Sequence, residues 1–113
     1  MELGERIWAI VATWQYFERS TLGTQLVRAI DGVAANTAEA TGRHHINDRR
    51  QFIYYARGSA REARCWLEKA TKRNLIDKNE VVATTESIIR VERMLSALAA
   101  SRMHTSSDWR SED

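Results

Sequence analysis

Five basic residues are spaced so that they fall on one side of a single predicted helix. At 100° per residue they lie between roughly 120° and 200° on the helical wheel when Phe52 defines zero. We call these residues the basic ridge: Arg50, Arg57, Arg61, Arg64 and Lys72. On a helix the ridge is about 33 Å long, opposite the predicted apolar face, and four of its members are arginines. Because a guanidinium group pairs with two phosphate oxygens at once, the ridge predicts binding to RNA, DNA or another polyanion.

Three further residues extend this predicted contact surface. Arg43 and Arg49 precede the ridge, and we expect them to add phosphate contacts. Tyr54 shares the ridge's side of the helix, so its ring is expected to stack on an unpaired base. The alternative is a solvated outer face, neutralised by pairs such as Arg64 and Glu68 at i,i+4. The residues alone leave both interpretations open.

The charge of the chain is concentrated in one region. The formal net charge is only +2, but residues 43–73 contain 9 basic and 3 acidic residues. The segments on either side each carry more acidic than basic residues. A polyanion is therefore expected to be attracted to the second connection and the third predicted helix.

Groups that could support catalysis or bind a metal ion are few. His44 and His45 are adjacent, so on a helix they would point in different directions, and neither has a partner at a metal-ligand spacing. Cys65 has basic neighbours, but the sequence offers it no evident base or oxyanion site. We therefore expect no enzymatic activity, no metal and no cofactor. An enzyme that uses His44, His45 or Cys65 is a further alternative to the binding functions considered below.

Four stretches with apolar residues at three- and four-residue spacing must position these groups. This spacing is typical of amphipathic helices and predicts them near residues 2–19, 22–42, 47–74 and 78–102. Short connections between four such helices predict an all-α, up-down-up-down antiparallel four-helix bundle over residues 1–103. Residues 104–113 are polar and aperiodic, so we expect a flexible tail with Trp109 exposed to solvent.

Local signals predict the ends and the inner faces of these helices. Gly42 stands where a left-handed C-cap is expected, and Phe17 falls on the inner face of the first helix. The expected N-cap residues are Ser20, Thr21 or Gly23 for the second helix, Asn47 or Asp48 for the third, and Asp77 for the fourth. The expected inner face of the third helix is Phe52, Ala56, Ser59, Ala63, Trp66, Leu67 and Ala70.

Composition favours a soluble intracellular domain. The chain has 113 residues, of which 43% are hydrophobic, with no Pro and 1 Cys. A single Cys excludes an internal disulfide and suits a reducing compartment. No apolar run approaches the ~18 residues that a membrane span requires. We therefore expect a cytoplasmic protein that does not associate with membranes.

Two segments resemble a known family. Asn36 to Arg43, with the sequence N-T-A-E-A-T-G-R, resembles the N-I-A-E-G-x-G-R signature of four-helix-bundle proteins encoded in 23S ribosomal RNA intervening sequences. Phe52, followed by Ala56-Arg57-Gly58-Ser59 and Glu62, resembles that family's F-x-x-x-A-x-G-S-x-x-E segment. The resemblance identifies five residues as members of the family's structural motifs: Asn36, Glu39, Gly42, Gly58 and Ser59.

That family is similar in fold to the accessory proteins of diversity-generating retroelements. Those proteins form ring-like pentamers with a basic surface and work with a reverse transcriptase and nucleic acid. The resemblance therefore implies a homopentamer with a nucleic-acid-associated role. A second strip of small or branched residues on the second helix also favours oligomerisation.

Two motif residues have a physical interpretation of their own. Gly58 lies inside a predicted helix, where glycine costs about 1 kcal/mol relative to Ala, so we expect it to permit a close backbone approach or a bend. Ser59 is expected on the core side, with its hydroxyl bonded to the carbonyl four residues earlier. Both are predicted to serve packing.

The sequence thus leaves two main functional hypotheses. The first is a non-enzymatic, oligomeric accessory protein, with a pentamer as the expected assembly, that binds RNA or DNA through the basic ridge. The alternative is a protein–protein scaffold, for example for a reverse transcriptase, with no intrinsic nucleic-acid binding. Salt dependence separates them, because only phosphate contacts release counterions.

Overall fold

The computed structural model describes residues 2–101, and every regular element within them is helical. The elements are α1 (Glu2–Ala12), α2 (Tyr16–Glu18), a π-helical segment (Arg19–Gly23), α3 (Thr24–Thr41), α4 (Ile46–Lys72) and α5 (Lys78–Ala100). Because α2, the π-helical segment and α3 continue without a break, residues 2–101 form four helical rods, which confirms the predicted all-helical class. The predicted tail at 104–113, with Trp109, lies outside the described residues.

The first connection lies at Thr13–Gln15, which corrects the predicted break near Ser20. The indole Nε1 of Trp14 donates a 3.0 Å hydrogen bond to the carbonyl of Leu75, in the connection between α4 and α5. Trp14 itself is buried. This tertiary contact fixes the chain where it turns, because the tryptophan is held at its indole as well as along its backbone.

The chain then passes helically through the residues that were expected to interrupt it. The hydroxyls of Ser20 and Thr21 donate to the carbonyl of Phe17, at 3.2 and 2.7 Å, so they continue the helix rather than cap it. Phe17 is 72% exposed, which corrects its predicted inner position. The break at Thr13–Gln15 changes the helical phase relative to α1, so Phe17 does not continue the apolar face of that helix.

The core forms mainly where α3 packs on α4 and α4 packs on α5. The largest fully buried side chains are Ile7, Leu26, Ile30, Val33, Leu67, Thr84 and Ile88. On α4 the innermost positions are largely alanines, which allow a close helix approach: Ala56, Ala60, Ala63 and Ala70. At this contact a Cβ built on Gly32 would lie 2.9 Å from Ser59 Oγ, so any larger residue would have to displace the Ser59 side chain.

The buried side of α4 differs from the predicted one in detail. Ile53 and Ala60 are buried, although neither was predicted, whereas Phe52, Ser59 and Trp66 are only half-buried. The centre of the buried side therefore lies about 50° from Phe52 on the helical wheel. This shift brings the buried side nearer to the basic ridge.

The observed helix caps also differ from those that the local sequence predicts. Gly42 has φ −84°, so it is not a left-handed cap, and His45 rather than Asn47 or Asp48 occupies the N-cap of α4. The left-handed residue is Asn74, with φ 58°, at the end of α4. Its N–H donates to the carbonyl of Thr71, and that of Leu75 to the carbonyl of Ala70, each at 3.0 Å. This is the Schellman arrangement.

The start of α5 agrees with the start that the sequence predicts. Asp77 occupies the N-cap position as predicted, although its side chain makes no capping hydrogen bond. The extended backbone of Asp77, with ψ 143°, ends the connection and begins the helix.

Candidate nucleic-acid interface

The basic ridge lies along the seam between α4 and α5 rather than opposite the core. Four of its members reach side chains or carbonyls of α5 and of Ser101 beyond it. Because the buried side of α4 is centred about 50° from Phe52, the ridge is its immediate flank. The next helix therefore borders the basic residues along most of their length.

Arg50 and Arg57 use guanidinium groups to hold the C-terminal half of α5. Arg50 Nε donates to the carbonyl of Ala99 at 2.9 Å, and its Nη2 donates to the carbonyl of Ser101 at 3.4 Å. A cation at this position satisfies terminal carbonyls and complements the negative end of the helix dipole. Arg57 Nη1 donates to Ser96 Oγ at 3.3 Å. These two arginines have a structural task in addition to any binding task.

Arg61 and Arg64 share one carboxylate, that of Glu92. Arg64 approaches both oxygens: Nη2 donates to Oε1 at 3.1 Å, and Nε lies 3.0 Å from Oε2 as an ion pair. Arg61 Nε lies 3.5 Å from Oε1. The Glu92 side chain is 11% exposed, whereas those of Arg61 and Arg64 are 58% and 46% exposed. The cluster therefore keeps an excess positive charge and presents it to solvent.

The remaining ridge residue, Lys72, is the last residue of α4. Lys72 Nζ is 3.7 Å from Glu68 Oε1, and both side chains are largely exposed. The alternative pairing of Glu68 with Arg64 is wrong, because Arg64 turns to Glu92. An open groove of about 620 Å³ follows this stretch and includes Arg61, Arg64, Cys65 and Lys72 from α4 with Val81, Thr85 and Ile89 from α5.

Arg43 belongs to a different cluster. Its Nη2 lies 2.7 Å from Glu39 Oε1, and its Cζ lies 4.5 Å from the centre of the Phe52 ring. Phe52 is on the other flank of the buried side of α4, about 160° from the middle of the basic ridge. Arg49 is half-buried in the first turns of α4. The structure does not bring Arg43 to the ridge.

Two tyrosines stand exposed on α4, although only one was singled out in the sequence. Tyr54 is 41% exposed, and the Cζ of Arg57 lies 4.8 Å from the centre of its ring. Tyr55 is 49% exposed and meets Phe52 edge to face, with ring centres 5.3 Å apart. Each tyrosine ring is thus held by one intramolecular contact, and its exposed part remains accessible to a ligand.

The motif residues divide between the core and the surface. Asn36 Nδ2 donates to the carbonyl of Gly32 at 2.9 Å, and Ser59 packs against Gly32. Glu39 pairs with Arg43, as the i,i+4 spacing predicts. Gly58 does not serve packing, which corrects its prediction: it is exposed, and a Cβ there would have no heavy atom of the described chain within 4 Å.

Sequence reasoning missed Glu92 as a partner of the ridge. The available signal is its position: it lies four residues after Ile88 and three before Leu95, both buried in α5. An acidic residue between two core positions requires a basic partner from a neighbouring helix, because an unpaired buried charge is strongly destabilising. That requirement points to the arginines of α4.

The two adjacent histidines and Cys65 lie at different places on the chain. His44 and His45 are exposed in the connection before α4, and Cys65 is exposed on α4. Within residues 2–101, no three His, Cys, Asp or Glu side chains are grouped as metal ligands. In the same part of the chain, no helix is both long enough and apolar enough to cross a membrane.

Comparison with known proteins adds one positive finding. A family model described as 23S rRNA-intervening sequence protein matches residues 1–97. The match covers α1 to α5 except for the last turn of α5. A search among curated proteins finds no match.

Proposed function

We propose that this chain, which belongs to the 23S rRNA-intervening sequence protein family, is a non-enzymatic accessory protein that binds RNA or DNA through phosphates. The observation that carries the proposal is the pair Arg61 and Arg64, two half-exposed guanidinium groups that share the single carboxylate of Glu92. Arginine forks suit phosphate because each can offer two parallel hydrogen bonds.

The Glu92 carboxylate would prepare these arginines for a ligand. It holds both guanidinium groups in defined positions, so fewer side-chain rotamers are lost when a phosphate binds. Since each side chain is about half exposed, a phosphate can approach the cluster from the solvent side. Lys72 extends the same basic surface toward the end of α4 as a flexible point charge.

Oligomerisation is part of the proposal. The groove between α1 and α3 is lined mainly by apolar side chains, among them Trp8 and Val27, and Trp8 is 61% exposed. A subunit contact would remove such surface from water, and several subunits would add their basic ridges together. Five subunits is the number implied by the resemblance to retroelement accessory proteins. The short connections favour the antiparallel up-down-up-down arrangement for each subunit.

The second candidate function is a scaffold for another protein, for example a reverse transcriptase. It is favoured by Arg50 and Arg57, whose donors bind the C-terminal half of α5 and are therefore already used within the chain. On this reading the ridge stabilises the α4–α5 seam, and the exposed apolar side chains of α1 and α5 contact the partner.

A fluorescence-anisotropy titration with labelled RNA and DNA at two or more salt concentrations separates the two candidates. Binding that neutralises Z phosphates should weaken with a log–log slope of about −0.7Z to −0.9Z. Replacement of Arg57 and Arg61 by Ala should flatten the slope by roughly 2 per engaged subunit, for all sequences alike. The Arg6→Ala/Arg90→Ala double variant is the matched control, because both are exposed arginines that lie outside the ridge and outside the Trp8 groove.

Two results would reject nucleic-acid binding. The first is no binding of either ligand below ~100 μM at low salt, a weaker affinity than non-specific binding ordinarily has. The second is an equal slope for the Arg57/Arg61 and Arg6/Arg90 double variants, which rejects the ridge as the binding site. The first result makes the scaffold the better account. Light scattering that finds a monomer at micromolar concentration would reject the oligomer.

A further inference from the structure

Gly58 occupies a position where nothing in the described chain requires a glycine. It lies near the middle of the 27-residue helix α4, and a Cβ there would have no described heavy atom within 4 Å. Glycine is the least favourable residue in a helix interior apart from proline. Gly32 differs, because the close approach of Ser59 explains it. The absence of a side chain at Gly58 therefore affects the outer surface of the protein.

The missing side chain leaves a depression, which we call the Gly58 notch. On a helix surface, residue i is bordered by i−4, i−3, i+3 and i+4. The notch is therefore bordered by Tyr54, Tyr55, Arg61 and Glu62, all exposed. Helical side chains lean toward the N-terminus, so a side chain at 58 would cover the surface between itself and the two tyrosines. Glycine leaves that surface open.

Both tyrosine rings at the notch are held in place before any ligand arrives. Arg57 lies over the Tyr54 ring at 4.8 Å, and Phe52 meets Tyr55 at 5.3 Å with an angle of 89° between the rings. Exposed aromatic rings that are already ordered lose little freedom on binding. They suit a flat, polarisable partner such as a nucleobase.

The charges around the notch suit a nucleotide. Arg61 is 58% exposed, and Arg57 is half-buried beside Tyr54. Glu62, the one acidic neighbour, accepts a hydrogen bond from Trp66 Nε1 at 3.2 Å. That bond draws the carboxylate toward the following turn of α4. The basic side of the notch continues into the ridge, where further phosphates would be bound.

We propose that the Gly58 notch binds an unpaired base of single-stranded nucleic acid, stacked on Tyr54 or Tyr55, with the adjoining phosphate on Arg61. The inference rests on the proposed function and adds the strand form and the contact point. The flat face of a base is free for stacking only when the base leaves a duplex. A duplex would use the ridge arginines alone.

The test fills the notch and measures stability and binding in the same variants. Gly58→Ala and Gly58→Leu should each raise the melting temperature by about 3–8 °C, since both replace an exposed helix glycine by a better helix former. Both should weaken binding of a fluorescein-labelled oligouridylate or oligothymidylate, Leu more than Ala, toward the roughly 5- to 150-fold loss expected for one stacked base. Tyr54→Ala should weaken it similarly, and the affinity for a labelled duplex should stay the same.

Gly42→Ala is the matched control. Its φ of −84° and nearest contact of 3.7 Å allow a methyl group, so it should raise stability without changing the affinity for single strands. Single-strand affinity that is unchanged in Gly58→Leu would overturn the inference while leaving phosphate binding by the ridge intact. Equal losses for single strand and duplex would also overturn it. So would dissociation of an oligomer in Gly58→Leu, which would make the notch a subunit contact. Absence of any binding by the unmodified protein would instead reject the proposed function, and this inference with it.

Discussion

Replacement of Glu92 by glutamine should lower stability and raise the affinity for nucleic acid. Within residues 2–101, Glu92 is the one carboxylate that pairs with both Arg61 and Arg64, and its side chain is 11% exposed. Glutamine keeps the shape of the side chain and one oxygen that can accept from the arginines, so it can still order them, but it removes the negative charge. The two arginines then lose their counter-charge and become more available to phosphate.

The stability change should be modest because the arginines are about half exposed. Removal of one partner from a fully buried ion pair costs about 3–5 kcal/mol, whereas exposed pairs contribute about 0–1 kcal/mol. Glu92 is buried, but water can reach both guanidinium groups, so we expect a loss of about 1–2 kcal/mol.

The binding change follows from repulsion between Glu92 and the ligand. A phosphate on Arg61 or Arg64 would lie about 6 Å from the Glu92 carboxylate, and at an effective dielectric constant of about 40–80 the repulsion is about 0.7–1.4 kcal/mol. Its removal should tighten binding about 3- to 10-fold at low salt. The same change should make the salt slope steeper by up to about 0.9.

Urea unfolding and anisotropy titrations of the same preparations measure both effects. Glu86→Gln is the matched control, because Glu86 is an exposed acidic residue of the same helix and its loss changes the net charge equally. Affinity that rises no more in Glu92→Gln than in Glu86→Gln would refute the reasoning. Weaker binding in Glu92→Gln would show that ordering of the arginines by Glu92 outweighs its repulsion of the phosphate.

Three further predictions concern the packing that positions the interface. Thr84→Val should stabilise the protein by about 1 kcal/mol in urea unfolding, because Thr84 is fully buried and its hydroxyl has no hydrogen-bond partner in the described structure; a loss of stability would contradict this. Gly32→Ala should lower the free energy of unfolding by about 1–2 kcal/mol net. In a double-mutant cycle, Ser59→Ala should recover part of that loss, and strictly additive effects would argue against the contact between the two residues. Asn74→Ala should cost about 1 kcal/mol and Asn74→Gly should not, by thermal unfolding followed by circular dichroism; equal effects would exclude strain at φ 58°.

Periodicity predicted the helices well where packing and local pattern agree. The helix from Lys78 begins where expected, and the buried residues Leu26, Ile30 and Val33 follow the predicted spacing. The connection at Trp14 could not be predicted in this way. It depends on a hydrogen bond to Leu75, 61 residues away, and a local pattern does not contain that contact.

The sequence predicted only part of the candidate interface, because here too a local pattern does not contain the tertiary contacts. A helical wheel correctly places Arg57, Arg61 and Arg64 on one side of α4, but it does not show which helix borders that side. The structure places α5 there, and with it Glu92, so part of the basic surface is used internally. Gly58 illustrates the opposite limit: its position inside a helix was evident, but only the tertiary structure reveals the open space beside it.

The π-helical segment Arg19–Gly23 sets the direction of the aromatic residues that precede it. A π-helical turn contains one residue more than an α-helical turn, so it rotates everything on its N-terminal side by about 100° relative to α3. This rotation sets the direction of the Tyr16 and Phe17 side chains, which are 75% and 72% exposed. A relative lacking one residue in the segment would carry the same two rings on a different side of the rod. Insertion or deletion at this point could therefore change which surface is apolar while leaving the α3–α4 core intact.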